Sequence, residues 1–479
     1  MKRIKIVILC FGLSFIYIIG RLFYVGIVKN EDYTKSVMAQ RTSSVTFKSP
    51  RGIIYDRNMI RLTDAEMRLV INNGKPYYVG DRTGNLFSHV IGYISPDGKG
   101  SGIEGAFDYV LSPGELSTAS YLKDIYNNKI SRGYSIDVKK SYGGISLTAD
   151  YHIQQIAEEA MDSHGINGAV IVANCETGEI LAMASRPSYD ADNLVQYLKG
   201  TDGELLNKAT LQYNPGSVFK IVVAAAFLEN HYNDEFSYEC TGETEIDGIN
   251  FVCHKEGGHG VQNLEQAFAN SCNCAFYSLG AMVGIEGIYD CAKSFGIGEE
   301  VLKINGISEY PGFVPHSVSG NAELANVSIG QGDVMVTPLQ IADMLCTICN
   351  GGVRNQLSLV RGIVNDDGMC METEGAEVES VLSETTARRL VEMMNLAVLD
   401  GTGKNAYVEF CGSGGKTGSA ETGWKKEGVF MQQGWFAGYF PAVNPRYVCV
   451  IIAENGNSGS ESACPVFRQI GNTMRDSGY

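Results

Sequence analysis

Ser217-Val218-Phe219-Lys220, Ser271-Cys272-Asn273 and Lys416-Thr417-Gly418 stand in that order along the chain, and their joint reading decides the fold. A serine hydroxyl is a poor nucleophile until a base takes its proton. On a helix, residues three apart share a face, so S-x-x-K sets an amine beside a hydroxyl. The lysine can act as base only if burial or a neighbouring cation lowers its pKa from about 10.4. Lys416 is a candidate for that second cation. The three motifs together supply a nucleophile (Ser217), a base (Lys220), a proton relay (Ser271), a polar holder for a substrate amide (Asn273) and a cationic anchor (Lys416). That set suits acyl transfer through a serine ester.

Context selects these copies from others. S-x-x-K occurs three times, at Ser120, Ser217 and Ser413. Ser120-Tyr121-Leu122-Lys123 reads as a surface turn of helix. Ser413-Gly414-Gly415-Lys416 carries two glycines, which disfavour a helix. Ser217 follows Pro215-Gly216 and precedes the wholly apolar run Ile221 to Leu228, so its helix is buried, and polar groups at its start need a reason. S-x-N occurs twice. Ser319-Gly320-Asn321 reads as a turn, whereas Ser271-Cys272-Asn273 interrupts an apolar run. Gly412, Gly414 and Gly415 lead into Lys416-Thr417-Gly418, and glycine in a strand often marks close approach of a ligand backbone.

The whole chain bounds these readings. Its 479 residues suffice for two or three domains, and 44% hydrophobic with 19% charged residues is a globular composition. A formal net charge of -16 argues against a nucleic-acid partner, because phosphate binding needs a basic face. From Ile6 to Val28 only Arg21 is charged. At about 1.5 Å per residue that run spans roughly 34 Å, enough for a bilayer core. Lys2, Arg3 and Lys5 precede it, which keeps the N-terminus cytoplasmic and the bulk outside. No small-x-small cleavage site follows, so an uncleaved anchor is preferred over a signal peptide.

Between residues 29 and 140 the sequence is polar and Gly-rich, with short strands expected. Helical spacing begins near Tyr151. Ala169 to Asn174 and Glu179 to Ser185 read as a hairpin around Glu176-Thr177-Gly178. Trp435 to Phe440 and Tyr447 to Ala453 read as strands and Cys464 to Asp476 as a closing helix. Strands at both ends with helices between predict one α/β domain whose sheet is built from both ends of the chain. The expected organisation is a cytoplasmic tip and transmembrane anchor over 1–28, a pedestal or dimerisation domain over 29–142 and a catalytic domain over 143–479, with the boundary near Tyr142-Gly143-Gly144.

With these motifs the chain resembles the class B, monofunctional penicillin-binding proteins along nearly its whole length. Arg51 to Asn58 resembles that family's pedestal signature, and Gly102-Ile103-Glu104-Gly105 with Asp108-Tyr109 a second pedestal segment. Thr177 to Met183, Ile329-Gly330-Gln331-Gly332 with Thr337-Pro338-Leu339-Gln340, and Gly401-Thr402-Gly403 add further matches. The resemblance implies the penicillin-binding transpeptidase fold: an antiparallel sheet flanked by helices, a helical subdomain, an N-terminal β-rich pedestal and one transmembrane helix. It implies a D,D-transpeptidase that crosslinks peptidoglycan stem peptides and is acylated by β-lactams at Ser217. Thr417, Gly418 and Ser419 would bind substrate, and the N–H groups of Ser217 and Ser419 would form the oxyanion hole. Val218 and Ser419 both stand where the family more often has threonine. No fused glycosyltransferase precedes the pedestal, so the implied partner is a polymerase of the SEDS family, alongside membrane lipid. The rival readings are a D,D-carboxypeptidase or serine β-lactamase of the same clan, and a non-catalytic penicillin-binding scaffold.

Thirteen cysteines sit oddly with an exported protein, and a low-oxygen habitat reconciles them most simply. Cys240, Cys253, His254 and His259 form C-x12-C-H-x4-H, a pattern open to zinc or to a disulfide. Knuckle spacing is missing and Gly257-Gly258 loosen the loop, which favours a disulfide between Cys240 and Cys253; similar pairs occur in related sporulation enzymes. No metal and no cofactor are expected. Cys272 lies inside S-x-N, where oxidation would block the site.

Overall fold

The structure is a computed structural model that describes residues 2–47, 51–63, 68–72, 75–79, 86–94, 100–112, 117–123, 129–137, 143–230, 235–365, 367–372, 378–426, 429–454 and 456–479. The expected boundary residue Tyr142 lies outside them. Contacts divide the chain into two units. One comprises Met1–Gly52, Ala65–Gly80 and Ser112–Ser141; the other comprises Ile53–Asp64, Asp81–Leu111 and Tyr142–Tyr479.

The first unit starts with the helix Lys2–Phe23 and a π-turn Tyr24–Val28. Together, Lys2–Val28 is long and apolar enough to cross a membrane. A helix Asn30–Arg41 follows, with Glu31 and Asp32 in its first turn and Arg41 in its last, the arrangement its macrodipole favours. The sequence reading expected only strands there, because this helix has no apolar stripe to announce it. Thr42–Phe47 pairs antiparallel with Ser117–Lys123, which pairs with Lys129–Asp137. Ser120 therefore sits in a strand, with Ser44 Oγ 3.0 Å from its hydroxyl, and not in the expected turn of helix. Arg68–Asn72 and Lys75–Val79 form a separate hairpin.

A five-stranded antiparallel sheet forms the centre of the second unit, in the order Gly414–Lys426, Val429–Phe440, Tyr447–Ala453, Gly168–Asn174, Ile180–Arg186. Side chains alternate between its faces. Ala169, Ile171, Val448, Val450 and Ile452 enter one core with Leu339, Ile341 and Phe227. Val170, Val172, Cys449 and Ile451 enter another with Ile153, Met161, Phe467 and Ile470 from the helices Tyr151–Ser163 and Cys464–Asp476. A sheet buried on both faces explains why these strands read as unbroken apolar runs. The helices Lys220–Asn230, Leu264–Ala269, Asn273–Ser294 and Asn321–Ser328 form the helical part, the long one broken at Gly284. Ser319-Gly320-Asn321 is the entry to the last of these, with Ser319 Oγ donating to Glu323 at 2.6 Å.

A second sheet in this unit runs Cys370–Glu372, Val360–Val364, Gly144–Leu147, Ile54–Tyr55. The last two strands pair in parallel. Much of the Arg51–Asn58 signature thus packs within this unit, and Asp56 is the reason. Its fully buried carboxylate accepts the N–H groups of Asn58 at 2.8 Å, Ile60 at 2.7 Å and Tyr151 at 3.2 Å. Asn58 Nδ2 in turn donates to Asp150, the N-cap of Tyr151–Ser163, at 2.9 Å. Asp56→Ala leaves three backbone donors short of their acceptor, and the expected loss is about 2–4 kcal/mol in denaturant unfolding of the intact chain.

Candidate active site

The turn that carries Ser217 is built by close backbone approach. Gly216–Phe219 forms a 3-10 turn that runs into Lys220–Asn230. Gly216 has φ +52, and a Cβ there would lie 2.4 Å from Ser419 O. Its N–H donates to Gly330 O at 3.0 Å, and a Cβ on Gly330, at φ +71, would lie 2.2 Å from Gly216 O. Only glycine fits either position. The nucleophile turn is thereby wedged between the Lys416 strand and the Ile329-Gly330-Gln331-Gly332 segment, which accounts for the glycine in that motif. Trp435, buried opposite Gly418, donates Nε1–H to Asn214 O at 3.1 Å and braces the same turn.

Lys220, Ser271, Asn273 and Lys416 meet in the interior. Lys220 Nζ donates to Ser271 O and to Asn273 Oδ1, both at 2.7 Å, and lies 3.4 Å from Ser271 Oγ. Lys416 Nζ donates to Ser271 Oγ at 2.8 Å and to Thr417 O at 3.1 Å. The Ser271 hydroxyl thus joins the two amines. Phe276 and Phe268 lie beneath them, at 5.2 Å from Lys220 Nζ and 5.7 Å from Lys416 Nζ. Among the described residues neither amine has a carboxylate partner, and no hydrogen bond links Lys220 Nζ to Ser217 Oγ. Catalytic hydrogen bonds often form only once substrate is present.

Burial without a counter-ion disfavours charge. It pushes the Lys220 ammonium down to about 7, against nearby thiols that act to raise it. Lys416 is pushed well down by burial first and by the Lys220 charge second. Lys220 is therefore primed to exchange a proton near neutrality, and the Lys416 charge is disfavoured beside it.

Ser271 has φ +54, a left-handed conformation unusual for a residue with a side chain. Its N–H is held by Phe268 O at 3.0 Å and that of Cys272 by Ala267 O at 2.9 Å, after which Asn273 opens the helix Asn273–Ser294. Local strain of this kind gathers at working sites. Thr417 Oγ1 lies 2.6 Å from Thr402 Oγ1, so Gly401-Thr402-Gly403 braces the Lys416 strand from behind. Ser419 is exposed, and its Oγ accepts Gly459 N–H at 3.3 Å. Beside it opens a cavity of about 520 Å³ lined by Asn326, Gln331, Gly332, Ser419, Ala420 and Gln432. Ser413 is structural: its hydroxyl donates to Ala406 O at 2.8 Å and accepts Val408 N–H at 3.2 Å.

All the sequence-predicted residues thus lie in or against one site. Sequence reasoning missed the phenylalanines and the strained backbone, and it gave Thr402 only as part of a family match and Trp435 only as a strand residue. Phe268 and Phe276 bracket Ser271-Cys272-Asn273 symmetrically, which is the signal that could have found them. The cysteine prediction needs correction. Cys240 and Cys253 are both free thiols and form no disulfide. They converge instead with His259 and Cys272, one donor atom each, all within 4.8 Å of one another. Among the described residues, these four form the group placed to hold a metal. Linear spacing argued against one because it shows no knuckle and a loop loosened by Gly257-Gly258, and it does not reveal Cys272 as a neighbour.

A serine–lysine site at the edge of an antiparallel sheet, with a second lysine on the edge strand, defines an acyl-transfer enzyme. The penicillin binding protein transpeptidase domain family matches residues 168–472, and the chain belongs to that family. Stage V sporulation protein D of Bacillus subtilis is 28% identical, over 99% of this chain and 85% of its own length. The peptidoglycan D,D-transpeptidase PbpA of Mycolicibacterium smegmatis is 29% identical, over 80% of this chain and 81% of its own. The crystal structure of penicillin-binding protein 3 from Mycobacterium tuberculosis, complexed with aztreonam, superposes with a TM-score of 0.74 at 28% identity, over 90% of this chain and 97% of that one.

The lowered Lys220 pKa sets a pH dependence. Below about 7 the amine is protonated and cannot take the Ser217 proton; above it the free base is present. The acylation rate with a penicillin should rise with pH through about 7 and then level; an inflection near the ordinary lysine value would contradict this. Ser271→Ala and Ser271→Gly both remove the shared hydroxyl and should slow acylation about 10²–10⁴-fold. The glycine variant should be more stable than the alanine variant by about 1 kcal/mol, because it alone accepts φ +54 without strain.

Proposed function

We propose that this chain is a peptidoglycan D,D-transpeptidase in which Ser217 is the nucleophile, Lys220 its base, Ser271 the proton relay and Lys416 the anchor for the donor carboxylate. Ser217 attacks the D-Ala-D-Ala bond of a stem peptide, releases D-alanine and holds the acyl group as an ester. An amine of a second stem peptide then resolves that ester and forms the crosslink. The observation that carries this reading is the pair of buried amines joined through Ser271 Oγ. Free-base Lys220 takes the Ser217 proton, and the Ser271 hydroxyl, bonded to both amines, passes a proton to the leaving amine. Asn273, with Oδ1 fixed by Lys220, holds the substrate amide. Thr417, Gly418 and Ser419 line the edge strand along which the substrate backbone lies. The N–H groups of Ser217 and Ser419 stabilise the oxyanion, a role supported by the contact of Gly216 with Ser419.

The helix Lys2–Val28 anchors the protein in the cell membrane, and the basic residues Lys2, Arg3 and Lys5 ahead of it keep the catalytic unit on the outer side. Crosslinking of this kind acts on newly made glycan strands, and the partner proposed to supply them is a polymerase of the SEDS type. β-Lactams, seen in complex with penicillin-binding protein 3 of Mycobacterium tuberculosis as aztreonam and ampicillin, acylate Ser217 here.

Labelled penicillin tests the reading. Wild-type protein should form an adduct that persists for many minutes, and Ser217→Ala should form none. Rapid turnover of the drug would point to a β-lactamase. Release of terminal D-alanine from a stem peptide without crosslinking to an added acceptor amine would point to a carboxypeptidase. Covalent labelling of Ser217→Ala would overturn the nucleophile assignment.

A further inference from the structure

Four soft donors from four places in the sequence meet beside the active site. Cys240 ends the strand Ser237–Cys240, Cys253 follows Ile249–Val252, His259 precedes Gly260–Asn263, and Cys272 is the middle residue of Ser271-Cys272-Asn273. Their donor atoms lie within 4.8 Å of one another, and three of the four residues are buried. Cys253 Sγ is 3.9 Å from Cys272 Sγ and 3.6 Å from His259 Nδ1. Zinc–sulfur bonds of about 2.3 Å and zinc–nitrogen bonds of about 2.0 Å at tetrahedral angles put sulfur–sulfur edges at roughly 3.8 Å and sulfur–nitrogen edges at roughly 3.5 Å. The Cys253–Cys272 and Cys253–His259 edges fit that tetrahedron, and the remaining ones lie within 4.8 Å. From this geometry we propose that Cys240, Cys253, His259 and Cys272 form a closed Cys3His zinc site that fastens residues 237–263 to the Ser271-Cys272-Asn273 loop.

The surrounding fold needs such a fastening. Residues 237–263 make only two two-stranded pairs, Ser237–Cys240 with Gly260–Asn263 and Glu243–Ile246 with Ile249–Val252. Ile249, Val252 and Val261 are exposed. The apolar cluster under the segment is small, and the three cysteines are themselves a large part of it. Isolated two-stranded pairs are marginal in water, and small units of this kind are commonly held by a disulfide or a structural metal. Three thiols this close in an exported protein would tend to oxidise to a disulfide if left free. Ligation to a redox-inert ion keeps each as a thiolate, with its proton released to solvent on binding. Soft sulfur donors in a tetrahedral set favour zinc over oxygen-seeking ions such as magnesium or calcium.

One ligand is also part of the catalytic loop. Pinning Cys272 fixes the backbone that holds Ser271 at φ +54, and Ser271 O is the acceptor of the Lys220 amine. His254, which the linear pattern includes beside His259, is exposed, and its Nδ1 is 3.9 Å from Cys253 Sγ; it stands outside the set.

Full-length protein purified in detergent without chelator should carry about one zinc ion per chain by elemental analysis. Cobalt exchange should give thiolate-to-cobalt charge transfer and the intense ligand-field bands of a tetrahedral ion. His259→Ala should weaken zinc binding at least roughly 100-fold, while His254→Ala keeps it. A folded wild-type protein without stoichiometric metal would overturn the proposal, as would a Cys240–Cys253 disulfide found by mass spectrometry or full zinc retention in His259→Ala. If the His259 variant fails to fold, the cobalt spectrum of the wild type decides. These readouts do not depend on the transpeptidase reading. The coupling to catalysis does rest on it: zinc-stripped protein should acylate roughly 10–100-fold more slowly and recover on adding zinc, and an unchanged rate would remove the coupling and leave the site.

Discussion

Two lysine amines buried without a carboxylate, sharing one serine hydroxyl, form the constraint on which the rest of this structure depends. Taking an ammonium out of water is expensive unless it is paired or gives up its proton. Here the environment offers oxygens and aromatic faces but, among the described residues, no carboxylate, and burial outweighs the nearby cysteine sulfurs, so the proton is the part held loosely. Lys220 at about 7 and a depressed Lys416 follow from that placement. The same two residues, exposed on a surface, would be inert cations.

Holding that arrangement takes three separate parts of the chain. A helix start supplies Lys220, an edge strand supplies Lys416, and a loop in left-handed conformation supplies Ser271. The edge strand is reliable because its sheet is buried on both faces and joins the first and last strands of the domain through the pairing of Tyr447–Ala453 with Gly168–Asn174. The helix start is reliable because Gly216 and Gly330 let it press against that strand and the loop behind it. The Ser271 loop is buried between two helices but has no strand pairing to fix it. It is also the part that carries Cys272, and a metal at the Cys3His cluster would give the loop the fixed point that strand pairing gives to Lys416.

Much of this was legible in the sequence. The apolar runs at 169–174 and 447–453, the closing helix and the three motifs were all identifiable, because burial on two faces and helical periodicity are written in residue order. Ser413 could be set aside from its glycines, and its structural hydrogen bonds agree. Other features left no linear trace. The helix Asn30–Arg41 has no apolar stripe, so nothing distinguished it from loop. Ser120 sits in a strand whose pairing partner is Ser44, far away in sequence.

The sequence by itself determined the order of the three motifs that carry the proposed catalytic groups and the strands that close the domain, since both follow from residue types at short spacing. Only the tertiary structure decided the protonation of the lysines and the grouping of Cys240, Cys253, His259 and Cys272. Protonation depends on what solvent is excluded and which charges are near. A tetrahedral donor set depends on distances between segments that residue spacing does not encode. The C-x12-C-H-x4-H pattern holds three of the four donors, Cys240, Cys253 and His259, and has His254 where the fold brings in Cys272.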